Sequence, residues 1–458
     1  MPETPTPETR VIVPAGMLGA GFTAEAVERG IALGGHAIAI DGGSTDSGPY
    51  YLGAAAPKMP AEAISADLRI MLTRGAAAGI PVIVGSAGTS GTDTGVDWVA
   101  GLVAEIAEEE GLALTVARIY SELAPEAVVA LVEAGRTRPL PPAADLTAER
   151  VRRCAHIVGL MGAEPIIAAL DAGADVVIGG RATDTAVIAA VPLRAGRPAG
   201  PSWHAAKTAE CGGQCTTNPR GGGVLVIVDD EGFTVDPLEP TSAATPTSVA
   251  AHMIYENADP NVMREPSGTL DVTDAVYTAL DDRRVRVTGS RFTEQAPTVK
   301  LEGSGLIGHQ SIAIAGIKDP EVLASIDVWA DGLRAFVAAK VADVLGLGAD
   351  VVDVQVRCYG WNAVLGELDP DTGPPREVGA VLIATAPDQA TATKVVKLAN
   401  PYLLHMPLPG MDHLPSFAFL TSPAEIPRGP LYEFLLQHVV TVDDPGELFR
   451  TEIEEVGR

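Results

Sequence analysis

The sequence predicts an α/β fold: a parallel sheet with helices on both faces, followed by a smaller α+β domain. Three observations carry this. Short apolar runs alternate with helix-periodic segments five times between Arg10 and Pro192, the pattern of a parallel sheet covered by its crossover helices. Those runs are almost continuously apolar, as strands buried on both faces should be. Three of them lead into glycine-rich loops that carry Thr-Asp-Ser or Thr-Asp-Thr: Thr45-Asp46-Ser47, Thr92-Asp93-Thr94 and Thr183-Asp184-Thr185.

In chain order, RVIVPAG, HAIAIDGG, PVIVGSAG, LALTVARIYS and ADVVIGG read as strands, and the segments between them as helices. Gly30, Gly79, Gly111, Gly135 and Gly173 stand where left-handed C-caps are expected. After Pro201, GGGVLVIVDDEGFTVDPL reads as a hairpin turning at Asp230-Glu231-Gly232, and a helix follows around Val249 to Asn257. RVRVTGSRFT and HQSIAIAGI are strand candidates. Glu321 to Leu345 reads as one amphipathic helix whose stripe is Val322, Ile326, Trp329, Leu333, Phe336, Val337, Val341 and Val344. DVVDVQVRCYG and EVGAVLIATA alternate like antiparallel strands, and Gln389 to Leu398 reads as helix. This order is ferredoxin-like. The expected division is a disordered Pro/Thr-rich tail at 1–9, an α/β domain at 10–235 and an α+β domain at 236–458.

A chain of 458 residues with 47% hydrophobic content and mean hydropathy of +0.20 can bury a large core. Its net charge of −27 argues against nucleic acid and anionic membrane as partners. An anionic substrate would need Arg or Lys gathered locally. Four cysteines are too few for a disulfide scaffold, and no run approaches the roughly 18–20 apolar residues of a membrane span. The expected setting is cytoplasmic, and the expected state a homo-oligomer.

Loops after parallel strands meet at the carboxyl edge of the sheet, where ligands bind. There Gly180, Thr183, Ser44, Thr45, Asp46, Thr92 and Asp93 are candidate substrate-binding groups; the competing reading is that Thr and Asp only cap the following helices. Arg181, at the end of a buried strand, can hold a carboxylate or phosphate bidentately or pair internally with Asp184 or Asp46. Arg220 in NPRGGG is a second anion candidate. Glu210-Cys211 follows a helix with His204 and Lys207. Glu210 and Asp184 are the candidate acid/base groups, and Cys211 is a candidate nucleophile or soft metal ligand, or a packing residue. Asp41, Asp46, Asp93 and Asp184 could gather Mg²⁺, although no cofactor is firmly indicated. GMLGAG lacks dinucleotide-binding spacing. Lys300, His309 and the Tyr359-Gly360-Trp361-Asn362 turn are candidates to close the site.

GGRATDTAVIAAVPL, WHAAKTAECGGQC, DGGSTDSGPYYLG and VKLEGSGLIGHQSIAIAG together resemble the acyclic terpene utilisation AtuA family. The chain departs from that pattern at His309-Gln310 and in the stretch 216–223. The resemblance implies catabolism of a branched carboxylic acid or its CoA thioester. Hydration or dehydration of a C–C double bond is the leading expectation. The alternatives are a subunit needing a small partner chain, and acyl or CoA transfer through Glu210.

Overall fold

Ten strands form the largest sheet of the computed structural model, which describes residues 8–370 and 373–457. The tail expected at 1–9 lies outside the described residues except for Glu8 and Thr9, and Thr9 already opens β1 (Thr9–Val13). β2 (Ala37–Asp41), β3 (Val82–Gly85), strand Val176–Gly179 and β4 (Leu114–Tyr120) follow β1 across the sheet, each parallel to its neighbour. Antiparallel strands extend both sides: Val224–Val228, Gly232–Pro237, Val285–Thr288 and Val276–Ala279 beyond β1, and Arg450–Val456 beyond β4. The sheet is therefore mixed, with a parallel centre.

Alternate residues of the central strands feed two cores. Ile12, Ile38, Ile40 and Val84 pack with helices Ala24–Ala32, Ala61–Ala78 and Asp93–Glu110. Val11, Ala39, Ile83 and Val177 pack with Glu164–Asp171, Asp184–Arg194 and Ala199–Ala209. The last of these helices is buried along almost its whole length, which explains its small residues Ala205, Ala206 and Ala209. Gly79 and Gly111 end their helices in left-handed conformation. Gly30 does not: it lies inside helix Ala24–Ala32, where a Cβ would come within 2.7 Å of Ile12 Cγ1. Its absent side chain serves close helix–sheet packing.

The chain divides into two compact units, one comprising residues to 305 with 434 onward, the other 306–433. The boundary expected between 235 and 236 falls inside strand Gly232–Pro237, whose hairpin is bonded into the ten-stranded sheet. Strand His156–Leu160 lies outside that sheet and pairs antiparallel with Lys300–Ser304. RVRVTGSRFT divides at Gly289 (φ +86°) into Val285–Thr288 and Arg291–Glu294, which join different sheets.

In the second unit, Val378–Ala386 pairs antiparallel with His309–Ile317 on one side and Asp353–Tyr359 on the other. The helix expected from Glu321 to Leu345 breaks at Ala324-Ser325 into Pro320–Leu323 and Ile326–Leu345. Trp329, Leu333, Val337 and Val341 are buried, but Phe336 and Val344 are exposed. The helix begun at Gln389 runs on to His405.

Candidate active site

The loops after β2, β3 and Val176–Gly179 lie at the carboxyl edge of three adjacent parallel strands. Thr92 and Thr183 each cap a helix, accepting from Gly95 N at 3.3 Å and Ala186 N at 3.2 Å, and Ser44 caps a 3₁₀ turn by accepting from Asp46 N. Capping positions the carboxylates that follow, because the residue after a cap has a fixed direction at the first turn. The three Thr-Asp pairs then diverge. Asp46 and Asp184 line a cavity of about 700 Å³. Asp93 exchanges contacts with Glu122 and lies 3.8 Å from Arg450, and it does not line that cavity.

Four carboxylates (Asp41, Asp46, Asp184, Glu256) and two cations (Lys58, Arg220) line the cavity, with Cys211, Tyr255 and glycines of the converging loops. Close approach of those loops demands glycine. A Cβ on Gly16 would lie 2.8 Å from Cys211 Cα, and one on Gly212 would lie 2.8 Å from the Ala15 carbonyl carbon. Asp41 is buried, with Oδ2 accepting from Gly43 N at 2.8 Å. Burial, then the charge of Asp184, raises its carboxyl well above the usual range, although Arg181 opposes this. Burial also raises Asp184, with Asp46 and Glu256 adding to the effect and Arg181 opposing it.

Arg181, expected as an anion anchor, points inward instead. Its guanidinium donates to Glu302 Oε2 (3.3 Å), Ser86 Oγ (3.0 Å) and the Ala182 carbonyl (3.0 Å), and lies 3.6 Å from Asp184. Thr45 donates to the same Glu302 oxygen at 2.8 Å, and Lys300 holds the other at 2.7 Å. Thr45 and Lys300 therefore support Arg181 and Glu302 and do not line the cavity. Burial would raise Glu302, but Arg181 and Lys300 outweigh it and hold the carboxyl at about 2. Gly180 and Gly91 set the backbone around this knot. Gly91 has φ +68°, and a Cβ there would lie 2.0 Å from Arg181 N. Gly91→Ala is expected to destabilise the protein by about 3 kcal/mol or more, since left-handed strain and overpacking add; urea unfolding checks this.

Behind Cys211, Glu210 is buried at the C-cap of helix Ala199–Ala209 and accepts from Lys207 Nζ at 2.5 Å. Burial, joined by Asp184 and Glu265, pushes Glu210 up to about 8 despite Lys207. Lys207 also donates to the Tyr255 carbonyl and sits over that ring. Cys211 is half-buried, and burial followed by the charge of Glu210 raises its thiol far above the ordinary value. It is no ready thiolate. Glu265, buried on Val262–Glu265, accepts from Thr185 Oγ1 at 2.9 Å, and burial pushes it to about 8. A raised carboxyl makes the fold lose stability as pH climbs from its unfolded value through its folded one, because the native state must give up the extra proton. Glu265→Gln is expected to flatten the fall in stability between about pH 4.5 and 8; denaturation midpoints across that range test it.

Among the described residues, no three of the aspartates bring ligand atoms within 4.8 Å of one another; only Glu210, Cys211 and His252 form such a group. His309 and the Tyr359–Asn362 turn belong to the second unit, where His309 Nδ1 lies 3.1 Å from the Pro387 carbonyl. Sequence reasoning missed Glu302, Glu265, His252, Lys58 and the Tyr255-Glu256 turn. Glu302 had a signal: it is the lone acid of its strand, placed between Leu301 and Gly303.

Fold and cavity define a mixed α/β protein with a polar, carboxylate-rich pocket at the end of its parallel strands. Among the described residues no helix is long and apolar enough to cross a membrane. The family model for acyclic terpene utilisation family protein AtuA matches residues 57–428, most of the chain. The chain belongs to the AtuA family, and membership points to a role in acyclic terpene utilisation. No curated protein and no solved structure matches it.

Proposed function

We propose that the protein is a hydro-lyase that adds or removes water across a C–C double bond of a branched carboxylic acid or its CoA thioester. One observation carries the reading: Asp41 and Asp184, both raised by burial, share one cavity with Lys58 and Arg220. Two carboxylates that discourage each other's ionisation divide acid and base roles near neutral pH. Asp184 is the group that moves the proton alpha to the carbonyl, and its charge keeps Asp41 protonated for longer as pH rises. Arg220 and Lys58 take the substrate's anionic group. The Ser44 hydroxyl and the loop amides near Gly43 orient the carbonyl oxygen and stabilise the developing enolate.

Acyl transfer through Glu210 is less well supported, because that carboxylate is buried against Lys207 and does not line the cavity. For the second unit, the sheet order Asp353–Tyr359, Val378–Ala386, Thr298–Ile317, Ile426–Thr441 supports the ferredoxin-like reading. The test incubates the protein in D₂O with branched mono- and dicarboxylic acids and their CoA thioesters. Deuterium alpha to the carbonyl, together with water gained or lost, is the expected result. A full panel with neither exchange nor hydration would overturn the reading.

A further inference from the structure

We propose that Glu210, Cys211 and His252 form a binding site for a borderline-soft divalent cation of the zinc type, with its remaining position open to the cavity. One ligand atom from each residue lies within 4.8 Å of the others. The set offers one nitrogen, one sulfur and one oxygen. Three protein donors with a vacant fourth position are the pattern of catalytic zinc, whereas a hard ion such as Mg²⁺ prefers oxygen alone. Cys211 lines the cavity, so an ion there is reachable by water or a substrate oxygen.

His252 supplies the second, independent observation. It is 5% exposed, and its Nε2 is buried without a hydrogen-bond partner. The protein satisfies its other deeply buried histidines: His204 meets Ser290 through Nδ1 and Tyr277 through Nε2, and His438 Nε2 meets the Ala144 carbonyl. A buried imidazole nitrogen left bare forfeits the hydrogen bond it had to water, and a metal would satisfy it. The donors are also held in place. Tyr255 stacks on His252 with ring centroids 5.4 Å apart, and Lys207 fixes Glu210 through Oε1.

Charge agrees with geometry. Glu210, Asp184 and Glu256 all act on Cys211, opposed chiefly by Lys207. That surplus of negative charge disfavours a bare thiolate but favours a dication, which removes the thiol proton on binding. Glu210 and Cys211 are adjacent while His252 lies far along the chain, so no zinc spacing is visible in the sequence.

The test strips the purified full chain with a chelator and titrates it with Co²⁺, followed by displacement with Zn²⁺. Expected are one Co²⁺ per chain and a sulfur-to-cobalt charge-transfer band that Zn²⁺ abolishes. Cys211→Ser should lose the band. His252→Ala should weaken binding by at least about 100-fold, the upper end for loss of even a supporting residue. His252→Gln and circular dichroism guard against a folding defect. Absence of saturable binding, or a band unchanged in Cys211→Ser, would overturn the site. So would binding lost in Asp46→Asn but kept in His252→Ala, which would place the ion among the cavity aspartates. Activity is not read, so failure here leaves the hydration reading standing, and failure of that reading leaves the metal site standing.

Discussion

Asp184→Asn is expected to lower kcat for hydration or dehydration by about 10²–10⁴-fold, the usual contribution of a positioned acid/base group. KM should change little. The amide keeps the shape and leaves the Thr183 cap on Ala186 N intact, so the fold should persist. Asp93→Asn, in the sister Thr-Asp pair, should retain activity because its carboxylate faces Glu122 and Arg450. Steady-state kinetics on the two variants separates a catalytic role from a capping one. Equal activity in Asp184→Asn and the parent would remove the carboxylate from the mechanism.

Glu302→Gln should produce the largest loss of stability, about 3–5 kcal/mol, because it removes the most deeply buried carboxylate partner of the Arg181 guanidinium and leaves Asp184, at 3.6 Å, to offset that buried charge. Both side chains are almost wholly buried, 6% and 4% exposed, so solvent screens the pair little. The pH dependence has a definite sign. Glu302 titrates near 2 in the folded protein against an ordinary 4.5. Its contribution is therefore complete above about pH 4.5 and disappears as pH falls toward 2. Urea unfolding at neutral pH and at pH 3 should show the difference between parent and variant shrinking at the lower value. A constant difference would mean that charge pairing is not what Glu302 supplies.

The parallel centre of the large sheet was legible because its strands are nearly continuous apolar runs, most of them leading into glycine-rich loops, and that signal is local. The cavity was legible in part for the same reason: Asp46 and Asp184 follow strands whose ends must meet. For Arg181 the sequence offered an anion anchor or internal pairing with Asp184 or Asp46; the Asp184 contact was within local reach, but Glu302 lies 121 residues away, and no local pattern reveals which cation a distant carboxylate will claim. Phe336 and Val344 fit the helical period yet are exposed. Periodicity marks a face, but the width of that face depends on what packs against it. The split of RVRVTGSRFT came from Gly289, which turns the chain out of one sheet and into another. His252 carried no sequence signal, since its meaning depends on Glu210 and Cys211 across the fold.

The unit comprising 306–433 is inserted into the first unit, and strand Arg450–Val456 closes the β4 side of the large sheet. On the ribosome, β4 is made more than three hundred residues before the strand that covers it. Until that late segment emerges, the nascent chain presents an uncovered strand edge able to pair with another copy. Production of this protein should therefore depend on protection during translation, and chains released early should aggregate while the completed protein stays in solution.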